Sequence, residues 1–176
     1  MSAAAGRFAR DTRWGATLLP DGSGTRFRVW APDRAGACKL EIEGRPPQGM
    51  RPAGDGWFEA EAPVGAGARY RYRVSPDLAV PDPASRLQAG DVHDPSVVVD
   101  PRAYGWRNAG WRGRPWHETV LYEVHAGAMG GFNGVQAALP RLRDLGVTAV
   151  ELMPINEFPG ERNWGYDGVL PYAPDA

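Results

Sequence analysis

At 176 residues the chain is long enough for one domain with a real core and part of another. A formal net charge of −1 argues against nucleic acid or an anionic membrane as partner, and the single cysteine, Cys38, excludes an internal disulfide and offers no metal cluster. His93, His117 and His125 lack metal-ligand spacing, and the longest early apolar run, Ala3 to Ala5, is too short for a signal-peptide core; with no run long enough to cross a membrane, a soluble cytoplasmic protein is predicted.

Residues 1–103 read as all-β, with a flexible start. Thr25 to Trp30 alternates Phe27 and Val29 against Arg26 and Arg28, and Lys39 to Glu43 puts Leu40 and Ile42 on one side. Gly56 to Ala62 sets Phe58, Ala60 and Ala62 against Trp57, Glu59 and Glu61, and Ala68 to Val74 turns Tyr70, Tyr72 and Val74 inward with Arg69, Arg71 and Arg73 outward. Period-two alternation marks strands covered on one face. Gly- and Pro-rich turns between them predict a small immunoglobulin-like sandwich without the disulfide.

Residues 76–117 carry Pro76, Pro81, Pro83, Pro95, Pro101 and Pro115 and read as irregular, apart from a short strand over Val97 to Val99. Trp106, Trp111 and Trp116 recur at five-residue spacing, neither helical nor strand-like, so residues 104–117 read as a connector anchored on both flanks. From 118 onward the pattern changes. Thr119 to His125 and Val147 to Met153 are strands of the kind buried on both faces, and Val135, Ala138, Leu139, Leu142 and Leu145 make a helix face between them. Asn133 is the expected N-cap and Gly146 the expected residue after the C-cap; Pro140, at about 3 kcal/mol in a helix interior, is expected to open the main helix. Strand, helix and apolar strand make a βαβ unit with parallel strands.

The stretch Phe158 to Asp175, FPGERNWGYDGVLPYAPD, sets Trp164, Tyr166 and Tyr172 among glycines and prolines directly after the second of these strands. Aromatics on such a loop, at the C-terminal end of a parallel strand, are what a sugar site on an α/β barrel looks like.

With Trp14 to Pro32, Asp82 to Asp100, LYEVH at Leu121 to His125 and Leu145 to Asp175, the sequence resembles the α-amylase clan of glycoside hydrolases that carry a starch-binding-like N-terminal sandwich. Within the clan it is most similar to the malto-oligosyltrehalose trehalohydrolase family, FPGERNWGYDGV being the most specific stretch. The loop Ala126 to Phe132 departs from that family, being shorter and lacking its Thr/Phe residues. The resemblance implies residues 118–176 as the first βαβ unit of a TIM (β/α)8 barrel, truncated after two of eight strands. It also implies a retaining glycosidase that takes maltooligosyl trehalose or a related α-glucan and releases trehalose, with no metal or organic cofactor.

By the same resemblance Tyr166, in WGY, stacks on the glucose at the cleavage point; an aromatic ring covers the C–H face of a pyranose without a hydrogen bond. The alternative is a core tyrosine. Trp164 is a sugar platform or a loop anchor, and Asn163 and Asp167 either bond sugar hydroxyls or cap turns. His125, at the strand end, is a binding residue or a hydrogen-bonded structural histidine. Glu151 and Glu157 invite a paired-carboxylate reading, but the clan's catalytic carboxylates come from later strands, so no catalytic residue is assigned and the chain alone is expected to be inactive. Trp30 and Trp57 could bind glucan, though packing or docking on the barrel is the simpler reading. The alternatives are a complete, non-catalytic carbohydrate-binding or interaction module, or a fragment of a glycogen branching or debranching enzyme.

Overall fold

A computed structural model describes residues 12–33, 38–108 and 110–175, so the flexible start expected for residues 1–11 lies outside the described residues. The strands are β1 (Gly15–Leu18), β2 (Thr25–Trp30), β3 (Lys39–Ile42), β4 (Gln48–Gly49), β5 (Arg51–Pro52), β6 (Trp57–Ala62), β7 (Arg69–Ser75), β8 (Leu78–Val80) and β9 (Ser96–Val97). After them come β10 (Leu121–Val124), helix α1 (Gly131–Asp144), β11 (Ala149–Leu152), β12 (Asn156–Glu157) and β13 (Leu170–Pro174).

The first nine strands form two antiparallel sheets, in the orders β1-β2-β6-β5 and β4-β3-β7-β8, with β9 also on β7. Alternation decides which side chains meet. Val29 lies opposite Phe58 and Phe27 opposite Ala60 in one sheet, and Leu40 lies opposite Tyr72 and Ile42 opposite Tyr70 in the other. These side chains share one core, where Phe27 meets Tyr70 edge to face at 4.8 Å between centroids. Each large apolar side chain sealed here contributes about 1.5–3 kcal/mol. The outward arginines are mostly ion-paired: Arg28 lies 3.2 Å from Glu59, which also binds Arg51, while Arg73 pairs with Glu41 and Arg69 with Glu43 at 3.8 Å. They form no free basic patch.

Residues 76–117 are irregular apart from short elements, as expected, with one correction: Leu78–Val80 forms strand β8. A buried polar network orders residues 82–96. The Tyr70 and Tyr72 hydroxyls donate to Asp82 Oδ2 at 2.7 and 3.3 Å, and Asp82 Oδ1 accepts the Ala84 N–H at 2.8 Å. Ser96 Oγ accepts the Asp82 N–H at 2.9 Å, and both Ser85 and Ser96 donate to Gln88 Oε1. Burial outweighs these bonds and raises the Asp82 carboxyl above its ordinary value, and the same burial, with Asp82 alongside, raises both tyrosine hydroxyls well above theirs. The expected strand over Val97 to Val99 is the two-residue β9, one position earlier. The tryptophan anchors are also a correction: Trp106, Trp111 and Trp116 are exposed, Trp106 standing edge to face with Tyr104 at 4.8 Å.

In the C-terminal part β10 and β11 pair in parallel, Leu121 opposite Ala149 and Val124 opposite Leu152, with α1 between them in sequence. The helix starts earlier than its apolar spacing suggests. Its N-cap is Gly130 at φ +85°, so Asn133 lies inside the first turn, and Pro140 sits within one continuous helix. Pro140 cannot donate to the Gln136 carbonyl, and Gln136 is exposed, where water can serve that acceptor. Gly134 stands so close to Met129 that a Cβ would collide with its carbonyl. The helix ends as predicted at Gly146: its N–H bonds the Arg143 carbonyl at 2.9 Å and that of Val147 bonds the Leu142 carbonyl at 3.0 Å, a Schellman closure. Burial of both strand faces does not hold. Val124 is the only buried residue of β10, and β11 has none, because two strands and one helix leave a side of the pair uncovered.

After β11 the chain makes a second two-stranded pair, β12 with β13, antiparallel. Leu170 and Ala173 of this pair pack with Val92, and Trp14 meets Tyr172 at 6.3 Å between centroids. Asp91 Oδ2 accepts the Gly160 N–H at 3.2 Å, so the aromatic loop leans on the first nine strands' part of the chain.

Candidate functional site

Parallel pairing brings the C-terminal ends of β10 and β11 to the same edge, where the Met153 N–H bonds the Val124 carbonyl at 2.9 Å. The residues that follow each strand open into a cleft of about 770 Å³. His125, Gly127 and Phe132 line it from the β10 side, and Met153, Ile155, Phe158, Glu161, Arg162, Asn163, Trp164 and Asp175 from the β11 side. Apolar walls with a few polar groups are the usual make-up of a small-molecule site.

Three of the five residues singled out in the sequence, His125, Asn163 and Trp164, line this cleft; Tyr166 and Asp167 do not. Trp164 is 91% exposed and Tyr166 68% exposed, so neither is packed beneath the loop among the described residues. Asn163 Oδ1 accepts the Gly165 N–H at 2.6 Å and the Asp167 N–H at 3.3 Å, and Asp167 Oδ2 accepts the Trp164 N–H at 3.1 Å. Both side chains therefore shape the turn that holds the two aromatics outward. Gly165 makes that turn possible: its φ is +98°, and a Cβ there would strike the Met153 methyl. His125 accepts the Ala128 N–H at Nδ1, 3.2 Å away.

Sequence reasoning missed Phe132, Met153, Glu161, Arg162 and Asp175. Phe132 lies in the first turn of α1, which had been placed too late, and Asp175 arrives by way of β13, which has no alternation of its own to announce it. Burial raises the Asp175 carboxyl above its ordinary value, with a smaller contribution from Asp91. Glu157 is buried and Glu151 exposed, which places the two carboxylates in different environments. Among the described residues no group of three or more His, Cys, Asp or Glu could hold a metal ion, and no helix is long and apolar enough to cross a membrane.

A smaller hollow of about 230 Å³ is lined by Trp14, Arg28, Trp30, Trp57, Ala84 and Tyr172, among others. Trp30 is 59% exposed with its Nε1–H on the Asp55 carbonyl at 3.0 Å, so it is not a core residue. Trp57 is half-buried beneath the Arg28 guanidinium, 5.1 Å from its ring centroid. Tyr172 brings the C-terminal segment to this hollow.

This mostly β fold with one helix matches the N-terminal part of α-amylase-family enzymes of known structure. The structure superposes on the crystal structure of a protein assigned as an alpha amylase from Salmonella typhimurium with a TM-score of 0.87 and 46% identity, over 95% of this chain and 29% of that one. It also matches a pullulanase from Bacillus acidopullulyticus at TM-score 0.76, where 21% identity speaks for the fold alone, over 96% of this chain and 26% of that one. Within this class the chain is a relative of the malto-oligosyltrehalose trehalohydrolases. It is 42% identical over 168 residues to that of Deinococcus radiodurans, covering 94% of this chain and 28% of the relative, and 40% identical over 159 residues to that of Rhizobium sp. (strain M-11), covering 84% and 26%. A 1,4-alpha-glucan branching enzyme from Xanthomonas oryzae is 33% identical over 180 residues, covering 87% and 24%. The chain thus spans about a quarter of the length of these curated relatives. No protein-family model matches it.

Proposed function

We propose that these 176 residues are the N-terminal part of a cytoplasmic retaining glycosidase that hydrolyses the α-1,4 bond next to the trehalose end of maltooligosyl trehalose and releases trehalose. Residues 1–103 form an immunoglobulin-like, starch-binding-like sandwich, 104–117 a connector, and 118–176 the first βαβ unit of a TIM (β/α)8 barrel. The observation that carries this reading is the coincidence of 42% identity to a named trehalohydrolase with a cleft at the strand ends, beside which Trp164 and Tyr166 stand exposed. In a barrel that end of the strands is where chemistry occurs.

The chemistry is transfer of a glycosyl group to a carboxylate and then to water, with no cofactor. Later strands supply the carboxylates. This chain supplies one wall: Tyr166 and Trp164 cover pyranose faces, Asn163, His125 and Asp167 orient them, and Glu151 and Glu157 take no catalytic role.

A second reading is a non-catalytic carbohydrate-binding module. It is favoured by the core of the first nine strands, whose described buried members lie within residues 27–98 with Ala16 and Leu18 packed against them. One experiment separates the two. The purified chain should release no trehalose from maltooligosyl trehalose, whereas the chain fused to the remainder of the Deinococcus radiodurans relative should release it. A well-folded fusion that leaves this substrate intact overturns the enzymatic reading, and turnover by the short chain alone overturns the placement of the carboxylates.

A further inference from the structure

We propose that His125 is a fixed hydrogen-bond donor of the cleft: an imidazole that presents Nε2–H to a hydroxyl oxygen of a bound α-glucan. This rests on the sugar-binding reading of the cleft given above and adds to it a tautomer, a donor atom and a role.

The tautomer follows from the turn after β10. Nδ1 of His125 accepts the Ala128 N–H at 3.2 Å. A ring nitrogen that accepts a hydrogen bond carries no proton, so in the neutral ring the proton sits on Nε2. The donating N–H is held in place by the backbone around it. The Met129 N–H reaches the His125 carbonyl at 3.2 Å, and the Gly131 N–H reaches the Ala126 carbonyl at 2.8 Å.

The direction of the donor follows from what stands beside the ring. Gly127 lies against one edge, where a Cβ would come within 3.1 Å of Cε1 and 3.4 Å of Nδ1. Gly165 lies against the other, where a Cβ would come within 3.6 Å of Cδ2. The remaining vertex is Nε2, between those two carbons. His125 lines the cleft, and no described residue makes a hydrogen bond or ion pair to Nε2. Two glycines on two different loops thus leave room for an imidazole whose only uncommitted polar atom belongs to the open side.

Its neighbours differ in kind. Asp167 is a carboxylate that can only accept and does not line the cleft, while Asn163, whose Oδ1 takes two backbone N–H groups, adds its Nδ2 as a second held donor. Arg162 also lines the cleft but is an exposed, many-rotamer side chain whose ordering costs entropy. A donor held by its surroundings loses little on binding. Sugar hydroxyl oxygens accept such a bond, and a neutral donor beside an exposed indole suits an uncharged pyranose better than an anion.

Nitrogen–proton NMR correlations of the histidine side chains in the full 176-residue chain test this, with maltotetraose as the probe. Near neutral pH, His125 should show the Nε2–H tautomer. Adding maltotetraose should shift its Nε2 and Hε2 signals together with the Trp164 indole. His125→Phe keeps a ring without the donor and should weaken maltotetraose binding about three- to tenfold, with the amide spectrum of the rest of the chain unchanged. An Nδ1–H tautomer overturns the proposal whatever the sugar does. Shifts at Trp164 and Tyr166 with none at His125 overturn it too, while leaving the cleft reading standing. Saturating sugar with no shift at Trp164, Tyr166 or His125 overturns the cleft reading, and the proposal with it.

Discussion

Leu40 in β3 and Leu121 in β10 are both strand leucines, yet one is 1% exposed and the other 49%. The difference lies in what faces each strand. β3 belongs to a sheet with a second sheet across from it, so Leu40 is sealed among Phe27, Tyr72 and Met50 in one cluster. β10 has one partner strand, and Val120, Leu121 and Tyr122 all remain exposed. The same residue type thus contributes cohesion in one region and aggregation-prone surface in the other. Strand propensity makes a strand; only a second layer makes it stable.

The largest expected effect tests this contrast directly. Phe27→Ala opens a cavity in a sealed core and should cost about 3–5 kcal/mol in urea unfolding. Leu121→Ala, already half in water, should cost under about 1 kcal/mol. Amide exchange should follow the same split, slow in β2, β6 and β7 and fast in β10 and β11. Equal costs, or strong protection of β11 in a demonstrated monomer, would show that the βαβ unit is self-sufficient and would favour the complete-module reading.

Next in size is the buried network that fastens residues 82–96 to the sheets. Asp82→Ala would strand the Tyr70 hydroxyl, an unpaired buried group costing about 1–3 kcal/mol, and leave Tyr72 only a 3.5 Å bond to the Arg28 carbonyl. Asp82 also gives this region a pH dependence. Its folded carboxyl titrates above the ordinary value of 3.8 because it is desolvated, so the folded state holds the proton more tightly than the unfolded chain. The stability this proton contributes is complete below the ordinary carboxylate value and is lost as pH climbs through the raised one. Measured against Asp82→Asn, which does not titrate there, the parent should lose relative stability across that window and then level off. A relative gain with rising pH would mean that the hydrogen bonds, not burial, dominate.

At the cleft the comparison turns on exposure for binding. Tyr166 is exposed, so Tyr166→Ala should leave the melting temperature near that of the parent while weakening oligosaccharide binding by about 1–3 kcal/mol in the fused, barrel-completed protein. A sharp fall in melting temperature with affinity intact would assign the ring to packing.

What the sequence made legible follows the same division. The strands β2, β3, β6 and β7 were readable because each alternates over four residues or more against one core, and the parallel pairing of β10 with β11 because α1's apolar face lies between them. Strands such as β1, β8 and β13 were not, since they lack a buried alternation of their own and are defined by their partners: Gly15 by Arg28, Leu78 by Ser75 at the β7 bulge, Leu170 by Glu157. The start of α1 was misplaced because Gly130 and Gly131 look like loop residues, yet both take the positive φ that lets the chain enter the helix. His125, Asn163 and Trp164 could be found from motif and strand end; Phe132 and Asp175 reach the cleft only through those misread elements.

The smallest expected effect concerns charge across strands. In the first nine strands most facing charges are opposite, as Arg28 and Glu59, Arg26 and Glu61, and Glu41 and Arg71 are in register, while Lys39 faces Arg73. In the parallel pair Glu123 lies opposite Glu151, and both are exposed. Like charges at directly opposed positions destabilise a strand pair by about 0.2–1 kcal/mol, less as salt screens them. Glu151→Lys should therefore slow amide exchange at Tyr122 and Val124 modestly at low ionic strength, with the gain shrinking as salt is added. A gain that salt does not diminish would mean that lysine stabilises β11 by packing its methylenes on the bare face of the sheet. That outcome would place the weakness of this region in missing cover alone, with no electrostatic part.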